Sequence, residues 1–529
     1  MRNEVEALVL MVVLGATVVV GTTLGGRYRV APPVLLIGAG ALLAFAPPFA
    51  HVVLRPDVVL LLFLPAILYR ESLTLSLREI RANLLAISLL AVALVGATMV
   101  TVALAAQALG LEPAVAWVLG AVLAPTDAAA VAGLAKRLPR RFLTILRAES
   151  LVNDGTALVL YAVALEVLVE GTEPGAAQLA GRFAVSLVGG IVAGLVVGGA
   201  AILIRRRLDD PLRDSALSVL TPFVAFLLAE VVHASGVLAV VIAGLMIAYA
   251  APWAIRARSR LMALSFWDLS TFLINGGLFV LLGMQIPRAV RGVTSLSMAR
   301  AVTLALVVTV VVLATRMAWI HVSAVVLQLV DRRRSQLGLR VGWRTRTAAG
   351  WAGFPGAVSL AAALAVPLHT SAGGPVQERD LIIFCTATVI LLIMLTQATT
   401  LPLVTRWAGL VGDRQLVAEV RRARQRAVEA GLEILPQLAR DLGAAEQIVE
   451  RIRADYQAFL DDVRAEGEES TSIRDRELER RLRLRVLAHK RREVTRLRDM
   501  NEIDDTVLRE LQAALDIEEV QLLGPSAPD

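Results

Sequence analysis

Thirteen apolar runs, most of them about as long as a lipid bilayer is thick, follow one another through the first 408 residues. They lie near residues 5–25, 32–50, 57–69, 84–108, 112–134, 142–169, 179–204, 212–233, 236–252, 262–285, 299–328, 346–367 and 380–408, the third being short. A helix of about 20 apolar residues crosses the hydrocarbon core, and only structures that satisfy their own backbone hydrogen bonds survive there. The expected fold class is therefore an all-α polytopic membrane protein of about 13 transmembrane helices. With 57% hydrophobic and 19% charged residues, the composition excludes a soluble enzyme, a disordered chain and a fibrous repeat. The lone cysteine, Cys385, cannot form an intramolecular disulfide, and no Cys/His cluster offers a zinc site. No cofactor is expected, and Cys385 is read as packing.

The net charge of +7 hides two regions of opposite sign. Residues 412–529 carry 21 basic and 26 acidic side chains, whereas residues 1–411 carry 32 and 20. The boundary near Gly412 is thus a change of solvent, dividing a membrane domain at 1–411 from a solvated tail at 412–529. The basic residues of the first part sit in short loops between apolar runs rather than on one face of a soluble domain, so nucleic acid is not an expected partner.

Those loops also orient the chain, because Lys and Arg in short loops stay on the cytoplasmic side. Loops after odd-numbered runs carry 22 basic residues and loops after even-numbered runs carry 6. The asymmetry places the N-terminus outside and the tail in the cytoplasm of a multi-pass plasma-membrane protein. The first run lacks a basic flank and a small-residue cleavage site, and it is read as a retained span.

Two runs are interrupted. The fifth contains Ala124-Pro125-Thr126-Asp127 and the twelfth Gly353-Phe354-Pro355-Gly356. Proline removes a backbone donor and glycine relaxes the helix, so both sequences favour a break inside the bilayer. They lie seven runs apart, and an odd offset means that the related spans run in opposite directions. This is the arrangement of inverted repeats with two broken helices near the midplane, which serves alternating access.

Acids within the spans mark the chemistry, since ionising a carboxylate in hydrocarbon costs several kcal/mol. Asp127 follows the proline break, where Thr126 and Asp127 could also cap the second half-helix. Glu149, Ser150, Asn153 and Asp154 share the sixth span. At about 3.6 residues per turn, Glu149 stacks on Asn153 and Ser150 on Asp154, giving two adjacent polar stripes. Carboxylate, hydroxyl and carbonyl oxygens suit a hard cation. Desolvation disfavours the charged form of a buried carboxylate, and a bound cation favours it. One such acid, Asp154 above all, can hold a proton or a metal ion but not both. Exposed alternately to the two sides, it would exchange one for the other. Glu149 is read as a structural ion-pair member, and Glu230, His233 and Asp268 as structural or interface residues.

With these strings in hand, the sequence resembles the monovalent cation:proton antiporter family, in its sodium/proton exchanger branch. The stretches that carry the resemblance are Ala124-Pro125-Thr126-Asp127 and Glu149-Ser150-Leu151-Val152-Asn153-Asp154-Gly155-Thr156. Weaker ones are Thr221-Pro222-Phe223 through Glu230, Ser235-Gly236-Val237-Leu238-Ala239, and Phe266-Trp267-Asp268 through Asn275. Together they cover roughly residues 57–410. The resemblance implies a homodimer with a dimerisation part and a mobile ion-carrying core. It implies Asp154 as the carrier of cation and proton, with Thr126, Ser150 and Asp127 contributing to coordination, so that the metal set is Asp154, Thr126 and Ser150. Asn153 beside the carrier resembles the electroneutral, one-for-one branch. The twelfth span departs from the family pattern: Pro355 stands where an arginine expected to pair with Glu149 usually lies. Glu149 is then either neutral or paired with Arg316, inside the eleventh span near Trp319.

The tail has Leu and Val at three-to-four-residue intervals among Arg and Glu and a break at 467–472, which predicts two or three amphipathic helices. Its basic segment 480–498 fits helix contacts or solvent better than anionic lipid, and regulation or dimer contact is the expected role. Without a phosphate-binding glycine loop, nucleotide gating is not expected. No nucleophile and base pair suggests an enzyme. The rival readings are a cation channel and, because of Pro355, a non-transporting or altered-selectivity membrane protein.

Overall fold

In a computed structural model, the described residues are 2–28, 30–47, 49, 59–75, 77, 80, 87, 89–126, 140–171, 175–293, 296–330, 342–371, 374, 376, 378–410, 414–465, 471–500, 502 and 505–523. They form helices and connecting turns, without a β-sheet among them. Contacts divide the chain into Met1–Gly412 and Asp413–Asp529.

In the first unit the helices are α1 (Arg2–Tyr28), α2 (Pro32–Leu43), α3 (Leu64–Thr74), α4 (Leu94–Ala108), α5 (Pro113–Leu123), α6 (Arg140–Glu170) and α7 (Ala176–Arg205). They continue with α8 (Pro211–Val231), α9 (Gly236–Ala254), α10 (Ala257–Gly292), α11 (Met298–Val330), α12 (Trp343–Trp351), α13 (Ala357–Leu364) and α14 (Arg379–Trp407). A π-helical turn leads into α3 at Val59–Phe63, and another into α4 at Leu89–Ala93. Among the described residues nine helices are long and apolar enough to cross a membrane, α1, α4, α6 to α11 and α14. The chain is a multi-pass membrane protein. The other four expected spans correspond to shorter elements: α2, α3, α5 and the split pair α12–α13.

Local chemistry explains the boundaries. Proline opens α2, α5 and α8, where its missing N–H has no helical partner to lose. Asp210 caps α8 by accepting from Leu212 N at 2.9 Å, and Ser235 caps α9 by accepting from Leu238 N at 3.2 Å. Within the helices threonine hydroxyls donate back one turn, as Thr17 does to Val13 O and Thr309 to Ala305 O, both at 2.7 Å. These back-bonds satisfy the hydroxyls that make them inside the helix, where lipid offers no partner. Large apolar side chains such as Leu8, Met11, Val188 and Val310 lie exposed on the protein, as a lipid-facing surface requires.

The helices of this unit sort into two bundles. The first holds α1, α2, α3 and α7 to α10, with α7 on α9, α2 on α10 and α3 on α9 as its main packings. The second holds α4, α5, α6 and α11 to α14, with α4 on α5, α5 on α6 and α4 on α11. Between them α10 meets α14, and α6 touches α3 and α9. The second bundle draws α4–α6 from one half of the chain and α11–α14 from the other, each with its interrupted span in the middle.

Small residues permit the closest approaches. Along α7, Gly190, Gly194 and Gly198 face α9, and a Cβ on Gly194 would stand 2.6 Å from Ala239 O and 2.7 Å from the Ile242 Cβ. Four-residue spacing of glycine is how membrane helices bring backbones together when lipid supplies no hydrophobic drive between them.

The second unit contains α15 (Arg414–Leu442), α16 (Glu446–Ala465), α17 (Thr471–Asp499) and α18 (Asp505–Leu523), four helices rather than the two or three expected. Gly443, at φ 63°, ends α15 with a left-handed residue that the periodicity did not reveal. α15 packs on α16, and α17 on α18. The basic segment 480–498 is partly neutralised inside the unit, where Lys490 donates to Glu518 at 2.9 Å and Arg491 to Asp516 at 2.5 Å.

Candidate ion site between the two bundles

The sixth run forms one unbroken helix, α6, and its two polar stripes go to different places. Glu149 and Asn153 are turned into the second bundle and are 1% and 0% exposed. Ser150 and Asp154, also buried, line a cavity between the bundles. A shift of one residue around the helix separates structure from chemistry.

Glu149 meets Arg316 of α11, whose Nη1 donates to Glu149 Oε1 at 2.7 Å. Arg316 Nε also donates to Gly350 O at 3.2 Å, capping a carbonyl at the end of α12. Its guanidinium passes over Gly353, where any Cβ would collide with it. One arginine thus ties α6, α11 and the break before α13 together. The charge of Glu149 is met from the eleventh span, so Pro355 does not leave it without a counter-charge.

At the other break, α5 stops at Leu123 and the chain leaves helical geometry through Pro125 and Thr126. Asn153 Nδ2 donates to Thr126 Oγ1 at 3.1 Å, fixing the hydroxyl from behind. Asn153 does not itself line the cavity. Of the candidate ion-binding residues, Asn153 thus reaches the site through Thr126. Asp127 lies outside the described residues.

The cavity is lined by Ile67, Glu71, Pro125, Thr126, Ser150, Asp154, Asn275, Gly356 and Val358. Both breaks contribute, together with α6 from the second bundle and α3 and α10 from the first. Its volume, as the space open to the centre of a water molecule, is about 20 Å³, just above the roughly 10–15 Å³ that one water needs. It therefore suits a single water or a single largely dehydrated ion. Two carboxylates, two hydroxyls and an amide surround it without sulfur or imidazole, a donor set for a hard cation. Among the described residues no cluster of three His, Cys, Asp or Glu could hold a transition metal.

Glu71 and Asn275 are the two polar lining residues that sequence reasoning did not assign to the site. The third run was ended at residue 69, which put Glu71 in a loop, but α3 continues to Thr74 and carries Glu71 one turn beyond Ile67. The signal available was that four-residue spacing. Arg70, counted as a loop charge, instead binds Asp268 of α10, with Nε donating to Oδ1 at 2.7 Å. Glu230 and His233 are exposed and take no part in the cavity.

Comparison with known proteins places this geometry. Residues 14–407 match the family model described as sodium/hydrogen exchanger, transmembrane. A protein named an uncharacterized Na+/H+ exchanger in Mycobacterium tuberculosis is 54% identical over 99% of this chain and 97% of its own length. A sodium, potassium, lithium and rubidium/H+ antiporter of Bacillus subtilis is 31% identical over 70% of this chain and 57% of its own. Among solved structures, the sodium proton antiporter MjNhaP1 of Methanocaldococcus jannaschii superposes with a TM-score of 0.58 at 19% identity. It covers 75% of this chain and 98% of that one, which shows a shared fold. With the family model spanning residues 14–407 of the membrane unit and the relative from M. tuberculosis matching 99% of the chain, this chain belongs to the sodium/hydrogen exchanger family.

Proposed function

We propose that this chain is a secondary antiporter that exchanges monovalent cations for protons by alternating access, with Asp154 as the carrier. The observation that carries the reading is the cavity itself. A buried aspartate shares a space of one ion's size with oxygen ligands, at the boundary of two helix bundles. Proton and cation compete there for the same carboxylate oxygens. Rocking one bundle against the other would open the space to one side and then the other. Thr126 and Ser150 supply neutral oxygens, Glu71 a second acidic one, and Asp127 follows Thr126 in the chain.

The exchange is read as one-for-one on the resemblance of Asn153, beside the carrier, to the electroneutral branch. Sodium is the first substrate to test, with lithium and potassium next, in keeping with the cations in the name of the B. subtilis relative. The remaining parts of the reading are a homodimer in the plasma membrane, the N-terminus outside, a cytoplasmic tail with a regulatory or dimer-contact role, and neither cofactor nor enzymatic reaction.

Reconstitution into proteoliposomes with an imposed proton gradient tests it. Wild-type protein is expected to dissipate the gradient saturably on addition of sodium, and Asp154→Asn to fall to the level of protein-free vesicles. An Asp154→Asn variant exchanging at the wild-type rate would overturn the reading, and a steady conductance without saturation would favour a channel.

A further inference from the structure

The first bundle reaches the cavity through α3, with Ile67 and Glu71, and through α10, with Asn275. These two helices pack on each other, and they are fastened together right beside the lining residues. Arg70, next to Glu71 in the chain, donates from Nε to Asp268 Oδ1 at 2.7 Å, and its Nη2 pairs with the same oxygen. Tyr69 meets Trp267 edge to face, with the ring centroids 5.2 Å apart. Trp267 is itself fixed, since its Nε1 donates to Ser218 Oγ of α8 at 3.2 Å and its carbonyl accepts from the Thr271 hydroxyl at 2.7 Å. Two consecutive residues of α3 thus grip two consecutive residues of α10. Asn275 follows Asp268 by seven positions, about two turns along α10 and close to the same face.

We propose that Arg70 is a positioning residue for the transported cation: its bond to Asp268 clamps α3 on α10 and so sets the spacing at which Glu71 and Asn275 meet an ion held by Asp154. The proposal rests on the exchange reading above and names a residue outside the cavity lining that tunes its cation affinity. Groups that hold a metal ion are themselves held by a second rank of hydrogen bonds, and losing one such support weakens affinity by about ten-fold or more. Arginine suits the role, since two donors of its planar fork on one carboxylate resist the rotation that a single point charge allows. The Asp268 side chain is 58% exposed, so the pair adds little to global stability. Without it the buried contact of Tyr69 with Trp267 still joins the helices, and what changes is the placement of the ligands.

Two measurements on full-length protein test this: the sodium concentration giving half-maximal exchange in proteoliposomes, and the sodium concentration giving a half-maximal rise in melting temperature in detergent. Arg70→Gln is expected to raise both by about ten-fold, with the maximal rate and the sodium-free melting temperature near wild type. Asp268→Asn breaks the same bond from the other side and should match it, and the double variant should be no worse than either single one. The exchanged pair, Arg70→Asp with Asp268→Arg, should recover part of the lost affinity. An unchanged half-saturation in Arg70→Gln would overturn the proposal, as would a loss in Arg70→Gln that Asp268→Asn does not share. A fall in maximal rate that tracks a lowered melting temperature, with half-saturation unmoved, would also overturn it, since that is the mark of a structural role alone. If the Arg70 variant is not monodisperse, Asp268→Asn carries the test. Wild-type vesicles that exchange nothing would sink the functional reading alone, because the melting-temperature titration still reports whether Arg70 sets sodium affinity. A wild-type melting temperature that sodium does not move would overturn both.

Discussion

Glu149 and Arg316 stand 167 positions apart in the chain, yet each is the other's charge partner in the interior of the second bundle. Removing either leaves an uncompensated buried charge, which costs about 3–5 kcal/mol. Glu149→Ala and Arg316→Ala are therefore expected to lower the melting temperature to a similar extent, and the double variant to lose much less than the sum. Full additivity in that cycle would show that the pair does not act as a unit. Gly353→Ala leaves both charges in place but drives a Cβ into the Arg316 guanidinium. It should therefore reproduce much of the Arg316→Ala loss, measured by fluorescence-monitored unfolding in detergent. The ion pair was readable as a pairing of types. The role of Gly353 was not, because a glycine in a broken helix looks like flexibility until the group passing over it is known.

Helices here are held by two different forces, according to solvent. In the membrane unit α7 and α9 approach through Gly190, Gly194 and Gly198. Gly194→Leu must push the backbones apart, and it is expected to yield misassembled protein on size-exclusion chromatography, whereas Val188→Leu on the exposed face should not. In the second unit α17 and α18 associate in water, so burial dominates. Leu487, 2% exposed, is worth about 2–5 kcal/mol on truncation to alanine, against at most about 1 kcal/mol for the exposed Lys490 to Glu518 pair. Hydrogen exchange across 471–523 in the full-length protein should speed up markedly in Leu487→Ala and hardly at all in Lys490→Gln. An amphipathic repeat predicts that such helices exist. Their number depended on Gly443, whose positive φ no spacing rule marks.

For the membrane unit as a whole, the informative fact is that both interrupted spans and α6 belong to one bundle, while α3 and α10 face them from the other. If transport requires relative movement of the bundles, a bridge across the cavity must stop it. Ile67 and Val358 line it from opposite bundles. In a Cys385→Ser background, Ile67→Cys with Val358→Cys is expected to lose exchange on treatment with a short bifunctional thiol reagent. Each single variant should keep its exchange under the same treatment. Retained exchange in the cross-linked double variant would mean that the bundles need not move apart.

What the residues alone determined was everything dictated by solvent and by local geometry: which segments are apolar enough for lipid, where proline and glycine break them, and which acids are too costly to be incidental. Burial and helical spacing are short-range properties, so Asp154, Ser150 and the Thr126 break could be named without coordinates. Tertiary structure alone decided which stripe of α6 faces the cavity and which faces Arg316. It also decided that Glu71 reaches the cavity from a helix seemingly finished two residues earlier, and that Asn153 stands behind Thr126. Those outcomes depend on the rotation of one helix against another and on contacts between distant segments, and the linear order of the residues carries no term for either.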